Sequence, residues 1–346
     1  YLGRNYFLGF LENVSNSLLA YSEAEYSQIP VLYGLSADTT ALEAAGIAQL
    51  ARLPSPLTGA GVLIAVIDTG IRYQHPAFWR GNASTILAAW DQTDREGPPP
   101  DGFAYGREYS REEITEAVRS GTILALNDPI GHGTYTAGVA AGQPDSRQDF
   151  SGAATGADLL IVKLKPAKNN LRSFYGVRPE ATAYSSADIL QAIEYVRAKA
   201  QELDRPLVIL LALSTNLGSH DGRDPLEHFI NDLTDQRGLV IVTSAGNEAG
   251  AAGHFFGGLD RDEVVEFFVG QDEESVLLEV WGQAPNRISV GLTSPSGGVM
   301  EPVPVYLERL RDYRISLETS RISVRYYTPS TSAGDPLVYL RIDNPT

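Results

Sequence analysis

The chain has 346 residues, enough for one large domain or two ordinary ones, and its apolar fraction of 43% allows a sizeable core. The formal net charge of −16 argues against a nucleic-acid partner and against docking on anionic membranes, since both need a basic surface. The chain contains no cysteine, which excludes disulfides, zinc–thiolate sites and thiol nucleophiles. No apolar run approaches the length of a membrane span.

The two ends of the sequence carry no recognisable start or end signal. The chain starts with Tyr-Leu-Gly-Arg, without an initiator Met or a signal-peptide pattern, and it stops abruptly after "LRIDNPT". We therefore expect the sequence to begin and end inside a longer protein.

The central part of the chain alternates between apolar runs and helical patterns. Four short continuous apolar runs are typical of strands covered on both faces. They are Val62–Ile67, Leu159–Leu164, Leu207–Leu213 and Leu239–Ser244. Helical periodicity with a Ser or Asp cap predicts helices over Ser185–Leu203 and Asp224–Gln236. Alternation of this kind predicts an α/β fold with a parallel sheet.

After about residue 260 the pattern changes to short strands joined by turns, which predicts an antiparallel β-sandwich. The predicted strands are "VVEFFVG", "SVLLEVWG", "RISVGLT", "YRISLE", "RISVRYY" and "LVYLRI". We place the boundary within Ala249–Gly258. The predicted division is residues 1–31 as the end of a propeptide or an N-terminal extension, 32–258 as the α/β domain, and 259–346 as part of the sandwich.

Chemistry in an open parallel sheet lies at the carboxyl ends of the strands. The first predicted strand ends in "IDTG", which places Asp68 there, and the fourth is followed by "SAGNE", which places Asn247 at the same edge. His132 lies between two glycines in "GHGTYTAGVAAG". It is either a capping or core-edge histidine or a catalytic imidazole at the start of a small-residue helix. The flanking glycines would leave room for a substrate backbone.

These three residues form a set that fits acyl-transfer chemistry. A buried aspartate orients a histidine and stabilises its charged form, and the histidine then deprotonates a serine. An asparagine amide can donate a hydrogen bond to the tetrahedral oxyanion. The "DTG" of Asp68 also occurs in aspartic proteases, but these need a second such motif on a β-rich fold, and none is present.

Four motifs, in this order, resemble those of subtilisin-like serine proteases. They are "GVLIAVIDTGI", "GHGTYTAGVAAG", "SGAATGADLLIVKL" and "VIVTSAGNE". The resemblance covers residues 58–250 and implies that Asp68 orients the imidazole, His132 is the general base and Asn247 is the oxyanion donor. It also implies that two segments pair with the substrate backbone by strand addition. These are Ala212, Leu213 and Ser214, where the family usually has Ser-Leu-Gly, and Ser244, Ala245 and Gly246.

Further stretches are similar to the Csp-like subtilisin group of clostridia. They include the long insert "WDQTDREGPPPDGFAYGREYSREEITEAV" and the segment "VKLKPAKNNLRSFY". Members of that group carry a jelly-roll domain between the oxyanion asparagine and the nucleophilic serine, and the β-rich tail is similar to the start of that insertion. The resemblance implies a protein or peptide substrate, the chain's own propeptide as a partner, and secretion or spore association.

In the family that the chain resembles, the nucleophilic serine opens a helix in a Gly-Thr-Ser pattern. We find no such helix start in this sequence. Thr293-Ser294 is followed by prolines that forbid a helix, and Ser332 in "STSAGDP" precedes a strand-like run. We expect the serine to lie beyond Thr346. Two functions remain open: an active serine endopeptidase, or an inactive relative that acts as a binding scaffold. No Asp-x-Asp-x-Asp loop is present, so we predict neither a metal site nor a cofactor.

Overall fold

A computed structural model describes residues 8–9, 29–35, 45–50, 56–147, 150–248, 250–251, 253–259, 261–270, 273–303, 311–314, 319–327 and 335–344. Its strands are β1 (Leu32–Leu35), β2 (Leu63–Asp68), β3 (Trp79–Arg80), β4 (Ala83–Ser84), β5 (Ile86–Asp91), β6 (Arg107–Ser110), β7 (Asp158–Lys163), β8 (Tyr184–Ser185), β9 (Leu207–Leu211), β10 (Leu213–Ser214), β11 (Leu239–Thr243), β12 (Ser275–Trp281), β13 (Leu292–Thr293), β14 (Val299–Met300), β15 (Arg311–Arg314), β16 (Arg321–Tyr327) and β17 (Leu337–Asp343). Its α-helices are α1 (Ile47–Leu50), α2 (Arg111–Ser120), α3 (His132–Ala141), α4 (Asn169–Phe174), α5 (Ser186–Glu202) and α6 (Pro225–Thr234).

The central sheet has six strands in the order β11-β9-β2-β7-β5-β6. All neighbours in it pair in parallel except β5 and β6, which are antiparallel. Every residue of β2 is buried, as expected for a strand covered on both faces. The predicted α/β fold with a parallel sheet is therefore confirmed, and all four predicted strands are present within one or two residues. β5, with its two adjacent alanines, was not predicted.

Helices cover both faces of this sheet, which produces two separate apolar clusters. On one face, α5 and α6 contribute Ile189, Ile193 and Phe229, which are almost fully buried, and Trp90 of β5 packs among them. On the other face, α2 and α3 contribute Ile114 and Ala137. The predicted amphipathic helix after Ser185 forms as α5, with the Ser185 side chain accepting a hydrogen bond from the first turn.

The β-rich part forms a four-stranded antiparallel sheet in the order β12-β17-β16-β15 and a separate two-stranded pairing of β13 with β14. One face of the larger sheet packs on α4, where Tyr339 stacks on Phe174 with ring centroids 5.2 Å apart and donates a hydrogen bond to its carbonyl at 2.9 Å. The opposite face is covered by Met300 and Val303. Antiparallel sheets in this part are thus confirmed, while the predicted domain limits stay predictions.

Two of the strands predicted in this part differ from the structure. The stretch "VVEFFVG" (264–270) has no regular secondary structure, and its side chains Val264 and Phe268 are exposed. "RISVGLT" forms only the short β13. An apolar run becomes a strand only when a neighbouring strand takes its hydrogen bonds, and none of the described strands pairs with 264–270. Most of "YRISLE" beyond Arg314 lies outside the described residues.

Candidate active site

Asp68 and His132 meet at the carboxyl edge of the central sheet. Asp68 is the last residue of β2 and is only 1% exposed, while His132 opens α3 with its side chain 13% exposed. Both carboxylate oxygens of Asp68 lie 2.8 Å from the imidazole Nδ1 of His132. The backbone amide of Thr69 donates a further hydrogen bond to the carboxylate at 2.6 Å. A buried carboxylate in this position selects the tautomer that carries its proton on Nδ1 and stabilises the protonated ring.

The glycines beside His132 determine how α3 begins and how closely it approaches β2. Gly131 adopts φ +90°, a conformation that residues with a side chain rarely take. A Cβ atom on Gly133 would lie 2.3 Å from the carbonyl oxygen of Gly70 and 3.0 Å from the Cβ of Asp68. The glycines therefore let α3 begin abruptly and approach the end of β2 closely. This approach brings the imidazole to the carboxylate, and the room for a substrate backbone beside the glycines stays a prediction.

The two predicted substrate-binding segments also lie next to each other. The hydroxyl of Ser244 donates to the carbonyl of Leu213 at 3.0 Å. A Cβ atom on Gly246 would lie 3.5 Å from the Cβ of Ser214. The turns that follow β9 and β11 thus form one continuous edge, to which Ala212 and Ala245 also belong by sequence.

A strand from near the start of the chain already pairs with this edge. β1 lies between β10 and β8 in a three-stranded antiparallel sheet, with Gly34 opposite Ser214 and Leu35 opposite Leu213. On its other side Leu32 and Tyr33 pair with β8. Just before β1, the carbonyl of Val31 accepts a hydrogen bond from the Ser186 amide at 2.8 Å.

Acidic groups surround part of this strand. Burial raises the pKa of the Tyr33 phenol, and the nearby charges of Asp224 and Glu227 raise it further. Burial also raises the pKa of Asp224 to about 7, with contributions from Glu227, Glu279 and Asp221. Glu279 comes from the antiparallel sheet and accepts a hydrogen bond from the Gly218 amide at 2.9 Å. The sheet thus contacts the loop that follows β10.

The other candidates from the sequence are the oxyanion donor and the two candidate serines. Asn247 lies in an exposed bend after β11. Ser294 lies in the turn between β13 and β14, where its hydroxyl accepts a hydrogen bond from the Gly298 amide at 2.9 Å. Ser332 lies outside the described residues. Nothing in the sequence pattern singled out Asp128, a buried carboxylate beside His132 whose hydrogen-bond donors come from separate parts of the chain.

The described residues offer no support for two other kinds of site, a metal centre and a membrane-spanning helix. Within the ranges that the structure describes, no group of three or more His, Asp or Glu side chains is arranged to hold a metal ion. Over the same ranges, no helix has both the length and the apolar character needed to cross a membrane.

The family model of the subtilases matches residues 59–303, more than half of the chain. The chain belongs to the subtilase family. The matched range contains Asp68, His132, Asn247 and both predicted substrate-binding segments. The subtilase fold accounts for the parallel sheet, whose strand β2 ends in Asp68 beside the helix that begins at His132.

Individual subtilases match at moderate identity. The serine protease AprX of Bacillus subtilis (strain 168) is 27% identical over 216 residues, which are 60% of this chain and 38% of AprX. Thermitase of Thermoactinomyces vulgaris is 22% identical over 197 residues, which are 57% of this chain and 51% of thermitase. The chain thus spans about half the length of these relatives, or less.

A solved subtilase structure extends the match. The CspB protease of Clostridium perfringens superposes with a TM-score of 0.74 at 26% sequence identity, covering 88% of this chain and 61% of CspB. This similarity confirms the predicted resemblance to the clostridial Csp-like group.

Proposed function

We propose that the protein is a serine endopeptidase in which Asp68 orients His132, His132 is the general base and Asn247 donates to the oxyanion. The observation that carries the proposal is the contact between a buried carboxylate and the imidazole Nδ1 at 2.8 Å, on the edge where subtilase chemistry takes place. The nucleophile in this proposal is a serine of the same polypeptide outside the 346 residues.

We further propose that β1 occupies the place of a peptide substrate. A substrate that adds a strand to the Leu213–Ser214 edge would pair as Gly34 and Leu35 do, with β8 on its other side. The chain's own N-terminal segment is then the first occupant of the cleft, although β1 begins at Leu32, directly after the stretch 1–31 predicted as the end of a propeptide or an N-terminal extension. Hydrolysis of other peptides requires that β1 leave.

The test is peptide hydrolysis by the complete polypeptide, in the wild type and in a variant that loosens β1. Leu32 is 5% exposed, so Leu32→Asp buries a carboxylate and expels the strand. We expect hydrolysis in both proteins, faster with Leu32→Asp, and its loss when His132→Ala is added to either. Absence of His132-dependent hydrolysis in both backgrounds would contradict the proposal and favour an inactive scaffold.

The 346 residues alone are expected to give no turnover, because removal of the nucleophile leaves only feeble residual catalysis. The same peptide assay checks this. Turnover that disappears with Ser332→Ala would place the nucleophile at Ser332 and refute our location of the serine.

A further inference from the structure

We propose that Asp128 is a positioning residue that fixes the geometry of the Asp68–His132 pair. The proposal rests on the proposed function and adds to it the carboxylate that keeps Asp68 and His132 in their relative positions. Asp128 lies in the loop before α3, is 4% exposed, and its carboxylate accepts hydrogen bonds from Thr69, Gly131 and Thr134.

Four hydrogen bonds converge on the Asp128 carboxylate. Its Oδ1 accepts from the hydroxyl of Thr69 at 2.7 Å and from the amide of Gly131 at 2.8 Å. Its Oδ2 accepts from the amide and the hydroxyl of Thr134 at 2.8 and 2.6 Å. An ionised carboxylate is acceptor-only and can receive all four donors at once.

These donors bracket the two residues of the pair. Thr69 directly follows Asp68, and its amide also binds the Asp68 carboxylate. Gly131 and Thr134 lie on either side of His132 in the first turn of α3. A single carboxylate therefore accepts hydrogen bonds from both sides of the contact, from the Thr69 hydroxyl after Asp68 and from the Gly131 and Thr134 amides around His132.

Thr69 completes the connection. Its hydroxyl donates a hydrogen bond to Asp128 and accepts one from the Gly133 amide at 2.9 Å. The end of β2 and the start of α3 are thus joined by a chain of hydrogen bonds that runs parallel to the Asp68–His132 contact. We therefore expect that loss of the Asp128 carboxylate shifts the two elements relative to each other.

The same contacts stabilise the ionised form of the Asp128 carboxyl. Burial raises the pKa of this carboxyl, but the hydrogen bonds from Thr134, Thr69 and Gly131 outweigh burial and lower the pKa overall. The carboxylate stays ionised at neutral pH and lies at the N-terminus of α3, where a negative charge is stabilising. An amide in its place would present an NH₂ group to two of the four donors.

A capping role alone would explain the stability contributed by Asp128 but not an effect on the pair. The two are separated by comparing Asp128→Asn with Ser110→Ala. Ser110 caps α2 through a reciprocal hydrogen bond with Glu113, so its loss removes a cap from a helix that carries neither Asp68 nor His132. Both variants are expected to lower the melting temperature.

The first readout is the deshielded Nδ1 proton of His132, observed by NMR in the 346-residue chain, which needs no peptidase activity. We expect Asp128→Asn to shift or broaden this resonance and Ser110→Ala to leave it in place. Thr134→Val, which removes one of the four donors, is expected to cause a smaller shift, and Thr134→Ser to restore the wild-type position. Thr134 variants keep the test open if Asp128→Asn fails to fold.

The second readout is kinetics of the complete polypeptide. We expect Asp128→Asn to lower kcat about 10²-fold with KM nearly unchanged, since small misplacement of a catalytic group has effects of this size. An unchanged Nδ1 resonance in Asp128→Asn and Thr134→Val, with only a melting shift like that of Ser110→Ala, would overturn the proposal. If the complete protein lacks peptidase activity altogether, the proposed function fails, while the resonance still decides the positioning role.

Discussion

Asp68→Asn is expected to lower kcat of the complete protein about 10⁴-fold, the loss known for the corresponding aspartate of the Ser-His-Asp triad. Both carboxylate oxygens of Asp68 can accept the hydrogen bond from His132 Nδ1–H, at 2.8 Å. In Asp68→Asn only one oxygen can accept this bond, because the amide nitrogen is a donor. The ring then adopts the wrong tautomer and loses the charge that stabilises it when protonated. Steady-state hydrolysis of a peptide measures the effect.

The matched control is Asp158→Asn. Asp158 opens β7 at the opposite end of the same sheet and forms ion pairs with Arg80 and Arg205 at 3.1 and 2.8 Å. Its loss should reduce stability modestly and leave kcat within a few-fold. If both variants lowered kcat equally, general destabilisation would explain the result and the role of Asp68 would be refuted.

Asn247→Ala is the second large effect that we expect. If the amide of Asn247 binds the oxyanion, its stabilisation exists only in the transition state, so kcat falls while KM stays nearly unchanged. The expected loss is about 10²–10³ in kcat, a magnitude taken from subtilisin, where it was measured. The assay reports kcat, KM and the melting temperature for the same preparations.

The alternative for Asn247 is a turn residue in the bend after β11. In that case Asn247→Ala would lower the melting temperature and leave kcat intact, which would remove the oxyanion donor from the proposal. A conservative Asn247→Gln variant, which keeps an amide but moves it by one methylene, is expected to recover part of the kcat loss only if the amide acts in catalysis.

The strands of the central sheet were predictable because each is a continuous apolar run covered on both faces, as in β2, where every residue is buried. Their carboxyl ends then placed Asp68 at the correct edge. A helix that starts at His132 was predictable from the small residues after "GHG", whereas its close approach to the end of β2, which Gly133 permits, was not. Strand β5 was not predicted because its alanines have a low β-strand propensity.

Features that depend on distant segments were not predictable. The insertion of β1 between β8 and β10 joins residues about 150 to 180 positions apart, and no local pattern encodes such a pairing. The Asp128 network likewise draws on Thr69, 59 positions earlier in the chain. At 264–270 the local pattern favoured a strand, but a strand also needs a partner to pair with.

The measurement that tests the central claim most directly is covalent labelling of the complete polypeptide with a serine-directed fluorophosphonate, in the Leu32→Asp background with and without His132→Ala. The labelled residue is mapped by mass spectrometry. We predict one labelled serine outside the 346 residues, with labelling that requires His132. No labelled serine, or labelling that is equally fast without His132, would contradict the account.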